Sequence, residues 1–81
     1  MAPDRNSIIS WKAFDRLDEA VALIDHMRAR SSCCAKVWRL ALDQCREALR
    51  AANRDGDARA KRTALRFMNW LRADLRQMER A

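Results

Sequence analysis

A single glycine and a single proline interrupt 81 residues. Hairpins and sheet corners need glycine, proline or asparagine at defined turn positions, so a chain with so little punctuation lacks the turn chemistry of a β-fold. Alanine, leucine and arginine, all good helix formers, are abundant, and tyrosine is missing. The expected fold is all-α.

Eighty-one residues allow one domain with one small core. Such a core has little surplus stability unless nearly every apolar face is covered, which calls for close packing or self-association. Residues 1–7 are polar and hold the proline, so they read as a flexible arm, and 8–81 as a single helical domain.

Three amphipathic helices follow from the periodicity. The first, about 10–30, takes Ser10 as its N-cap and sets Phe14, Leu17, Val21 and Ile24 on one stripe, widened by Ala13, Ala20 and Met27. Ser31 and Ser32 supply a break and a cap for the second, about 33–53. There Cys34, Trp38, Ala41, Cys45, Ala48 and Ala52 step by four, three, four, three and four, with Val37, Leu42 and Leu49 beside them. Asn53-Arg54-Asp55-Gly56-Asp57 is the strongest turn signal: Gly56 suits a left-handed C-cap and Asp57 an N-cap. The third helix, about 58–79, gathers Ala60, Ala64, Phe67, Met68, Leu71, Leu75 and Met78 on one face.

Short connections between helices of this length predict an up-down-up bundle. The same spacing also suits a helical hairpin that completes its core by dimerising, because a heptad-like seam does not say which chain supplies its partner. The mostly small residues of the second helix are expected to face larger ones from the other two.

Chemistry is sparse. His26 is the only histidine and falls away from the apolar stripe, with no nucleophile tied to it by spacing. Cys33, Cys34 and Cys45 do not have the paired spacing of a zinc site, and an odd cysteine count suits reduced thiols. One glycine cannot build a phosphate loop. No catalytic residue, cofactor or metal is expected, and the chain is read as a non-enzyme.

The longest unbroken apolar run is Ala20 to Ile24, so no membrane span is expected, and MAPDRNS lacks a signal peptide's apolar stretch. A cytoplasmic location follows as an expectation. The formal charge of +6 favours acidic partners. Acidic residues cluster in the first helix and basic ones in the third, which makes the molecule electrically lopsided.

On the third helix Arg59, Arg62, Arg66, Asn69, Arg76 and Arg80 form one stripe opposite Ala64. It can follow a phosphate backbone or serve as an ordinary solvated face. Two aspartates in the 53–57 turn and the lack of an aromatic among the arginines argue against nucleic acid. Trp70, Leu40 and Trp11 fall off their helices' core faces, where they either close the bundle's edges or together form an apolar patch that anchors an interface.

These features lead to one expectation, a small regulatory or adaptor protein of bacterial or bacteriophage type. It would bind another protein with an acidic surface through a helical face, with Trp70, Leu40 and Trp11 as anchors. A homodimer fits the same features. The alternative is a nucleic-acid-binding protein that uses Arg59, Arg62, Arg66, Arg76 and Arg80.

Overall fold

The computed structural model describes residues 8–30 and 34–80. They form three helices, α1 (Trp11–Ala29), α2 (Ala35–Asp55) and α3 (Ala58–Arg80). The chain is a three-helix bundle in which α2 runs along both α1 and α3, while α1 and α3 barely meet. Because α1 packs against α2 within the chain, the hairpin's second face is covered without a second copy.

The helix limits follow their caps. Ser10 is extended, and its Oγ accepts the Ala13 N–H at 3.3 Å. Gly56 ends α2 at φ +74°, a left-handed conformation that other residues adopt only with strain. Asp57 then caps α3, its Oδ1 accepting the Ala60 N–H at 3.0 Å. At the other end the structure differs from the sequence reading. The N-cap of α2 is Cys34, with no side-chain cap bond, and the helix starts two residues later than expected. Ser31 and Ser32, read as that cap, lie outside the described residues, as do the arm at 1–7 and Cys33.

Two caps that look independent in sequence form one clasp. The Ser10 N–H donates to Asp57 Oδ2 at 2.8 Å, and the Ser10 hydroxyl donates to Asp55 Oδ2 at 2.7 Å. The start of α1 is thereby fixed to the α2–α3 turn. Ser10 and Asp57 are both buried. Their hydrogen bonds offset the cost of removing polar groups from water.

The core runs along α2. Trp38, Ala41, Leu42, Cys45, Ala48, Ala51 and Ala52 are buried there, against Ala13, Leu17, Ala20 and Ile24 of α1 and Ala60, Ala64, Met68, Leu71 and Leu75 of α3. Small residues occur on all three helices, so the expected pattern of large against small holds only in part. Trp38 is the largest side chain in this core, 2% exposed, and its indole N–H donates to Asp74 Oδ2 at 3.2 Å. Val21 departs from the expected stripe. It is 42% exposed, because α3 does not close over that side of α1. No helix among the described residues is long and apolar enough to cross a membrane.

Candidate functional site

The shared clasp at Ser10 and Asp57 means that α1 and α3 start at the same end of the bundle and run parallel. Each leans on α2, so a groove of about 430 Å3 is left between them. From α1 it is lined by Val21, Ile24, Asp25 and Arg28, and from α3 by Thr63, Arg66, Phe67 and Trp70. Ile24 is buried and forms the floor, Phe67 is half-buried, and Val21 and Trp70 stand as partly open walls.

Trp70 is 39% exposed. Its ring lies 5.8 Å from the Phe67 ring at 56°, a tilted aromatic contact. The Arg28 guanidinium carbon sits 4.6 Å from the Trp70 ring centroid, so a cation from α1 covers an aromatic from α3. At such a surface site the attraction is worth about 0.5–1 kcal/mol. It steadies the rim of the groove and keeps the ring presented.

The three candidate anchors do not form one patch. Trp11, 70% exposed, adjoins Ser10 at the clasped end. Leu40, 52% exposed, follows Arg39, whose guanidinium reaches Glu79 near the far end of α3 at 2.8 Å. Only Trp70 belongs to the groove. Trp11 instead has the exposed Ile8 and Ile9 beside it in the chain.

Arg59, Arg62, Arg66, Arg76 and Arg80 are all exposed on α3, and Arg66 also stands at the groove. On the other helices Arg16 pairs with Glu19, Arg39 with Glu79, Arg46 with Asp43 and Arg50 with Glu47, whereas Arg28 and Arg54 are in no such pair among the described residues. Among the described residues none of the five stripe arginines is in such a pair. An arginine with no carboxylate of its own chain keeps its charge available to a partner. Periodicity could place this stripe but could not show which of its charges are in ion pairs; Arg59, though in none, still acts electrostatically on the nearby Asp57 carboxylate. The contributions of Val21 and Arg28 to the groove were likewise hidden in the sequence, since both depend on how far α3 stands from α1.

A second groove, also about 430 Å3, lies between α1 and α2. Lys12, Arg16 and Arg54 share it with Asp15, Glu19 and Glu47, so its charges balance and favour neither sign of ligand. His26 is exposed. Cys34 is half-buried, and burial pushes the Cys45 thiol up to about 11, which keeps it protonated and unreactive at neutral pH. Among the described residues, no cluster of three or more His, Cys, Asp or Glu side chains could hold a metal ion.

Compared with known protein families, curated proteins and solved structures, the chain matches none.

Proposed function

We propose that this chain is a small non-enzymatic regulatory or adaptor protein, of bacterial or bacteriophage type, that binds a protein helix in its α1/α3 groove. One observation carries this reading. Val21, Phe67 and Trp70 line an open groove between two parallel helices, with Arg28 and Arg66 at its edges. A fourth helix laid there would bury the apolar walls, as in other helix-in-groove interfaces.

The groove belongs to this chain, so a partner that offers a single helix supplies a ridge. Its apolar residues would recur at helical spacing, and its flank toward α3 would carry carboxylates for the arginines there. The mechanism is occupancy. Trp70 and Phe67 provide the buried anchor, and the arginines steer the approach and fix the register. In this reading the protein acts in the cytoplasm.

Trp70→Ala is expected to weaken partner binding by about 2 kcal/mol or more, roughly 30-fold, the range of interface anchors of this type. Its partial exposure means that helicity by circular dichroism should stay unchanged. Loss of folding, or unchanged affinity with intact folding, would count against the groove as the binding surface.

The stripe arginines of α3, in no ion pair among the described residues, favour a second reading, binding to a nucleic-acid backbone. Its mark would be affinity for duplex DNA that falls steeply between about 50 and 200 mM salt, with a shallower slope in an Arg62→Glu, Arg66→Glu variant. The half-exposed aromatic wall at Phe67 and Trp70 contributes nothing to phosphate binding, which ranks this reading second.

A further inference from the structure

We infer that the α1/α3 face is covered by a second copy of the chain, in a parallel two-fold dimer that lays α1 of each copy over α3 of the other. The inference rests on the α1/α3 face being the protein-binding surface, and it names the protein.

The first observation is the register of the two helices. Arg28 stacks on Trp70, and Val21 and Thr63 line the same groove, so residues 42 positions apart lie at the same height on α1 and α3. The second is the charge on the two rims. Asp18 and Asp25 are exposed on α1, seven residues or two turns apart. Arg59 and Arg66 are exposed on α3, also seven apart, and shifted by 41 from the aspartates. The two pairs therefore stand at nearly the same heights on the two rims. None of these four side chains is in an ion pair among the described residues.

A two-fold axis parallel to the helices exchanges α1 and α3 across the interface. Asp18 then meets Arg59 of the second copy and Asp25 meets Arg66, and symmetry repeats both pairs. Val21, Phe67 and Trp70 are covered between the charged rims. An axis across the helices would instead stack α1 on α1 and α3 on α3. That arrangement opposes aspartate to aspartate and arginine to arginine, a like-charge cost that selects the parallel dimer. A generic acidic helix would match the α3 rim but would repel Asp18 and Asp25, whereas the chain's own face suits both rims.

Two helices side by side, each about 10 Å wide and about 28 Å long, present roughly 500–600 Å2 per copy. A standard interface has about 800 Å2 per partner, so the dimer should be concentration-dependent with a dissociation constant in the micromolar range. A foreign helix with the same pattern of charges would compete for the face, making self-association and target binding mutually exclusive.

The test uses two charge-reversed variants of the full chain, Asp18→Arg with Asp25→Arg, and Arg59→Glu with Arg66→Glu. All four positions are exposed, so circular dichroism should report unchanged helicity. Sedimentation velocity at about 50 mM salt, from about 10 to 500 μM protein, should show the wild type self-associating and each variant weakened at least about tenfold. An equimolar mixture should recover the dimer, because the new basic pair on one chain's α1 meets the new acidic pair on the other's α3. A wild type that stays monomeric, or folded variants that do not recover on mixing, overturns the inference. If that wild type still loses a protein target on Trp70→Ala, the binding face stands and only its occupant was wrong. A wild-type dimer indifferent to Trp70→Ala overturns the assignment of the face.

Discussion

A Trp38→Ala protein is expected to lose about 3–5 kcal/mol of stability, the range for truncating a fully buried tryptophan. For a chain of this length total stability is on the order of 4–12 kcal/mol, so the variant should stand near its folding threshold. Trp38 is 2% exposed and sits where α2 meets α3, so alanine would leave a void lined by residues that cannot all collapse inward. It would also remove the indole N–H that Asp74 accepts. Asp74 is only partly buried and can turn to water, so the cavity dominates the loss. Thermal unfolding followed by circular dichroism should show the midpoint falling by about 15–30 °C. Trp38→Phe, which retains most of the ring but not the N–H, should cost clearly less. Equal losses from the two substitutions would mean that the hydrogen bond, and not the packing, holds α2 to α3.

The second large effect is expected at Asp57. Its two carboxylate oxygens serve different elements, one capping α3 through Ala60 and the other receiving the Ser10 N–H at the start of α1. Asp57→Ala removes a cap worth about 0.5–2 kcal/mol and leaves a buried Ser10 N–H unpaired at about 1–3 kcal/mol. A combined loss of about 2–4 kcal/mol is expected in urea unfolding. Those N–H donors from Ala60 and Ser10 also hold the Asp57 carboxyl below the usual carboxylate range. A carboxyl depressed on folding stabilises the fold fully above its unfolded value of about 3.9, and the contribution fades as pH falls through the lower folded value. The wild type should therefore lose stability on acidification below about pH 4, and Asp57→Asn should lose less over the same interval. Parallel acid profiles for the two proteins would remove Asp57 from the clasp.

Both effects show what the sequence makes legible. Trp38 lies on a seam whose steps of three and four are plain in the sequence, and Gly56 and Asp57 announce their caps by residue type. Both signals are local, carried by spacing and by the backbone preferences of single residues. The joining of Ser10 to Asp55 and Asp57 is not local, because these residues are 45 and 47 positions apart, and a cap's residue type says nothing of a second donor. Val21 failed for a related reason. Its spacing marks the inner side of α1, but whether that side is covered depends on how far α3 stands away, which periodicity on one helix does not encode. Trp70, Leu40 and Trp11 lie off the core faces, as their spacing indicates. Their separation into a groove residue and two residues near opposite ends needed the packing of all three helices. The arginine stripe is visible as a pattern in the sequence, while the lack of ion pairs along it among the described residues is not.

The central claim is that the molecule makes its protein contacts through the α1/α3 groove, and placing a photo-reactive side chain at position 70 tests it most directly. A control protein would carry the same group at position 46, exposed on α2, where Arg46 pairs with Asp43. Irradiation in the native host should give a protein adduct from position 70, either a target or a second 9.4 kDa copy of the chain, and little from position 46. Equal adducts from the two positions, or none from position 70, would contradict the account.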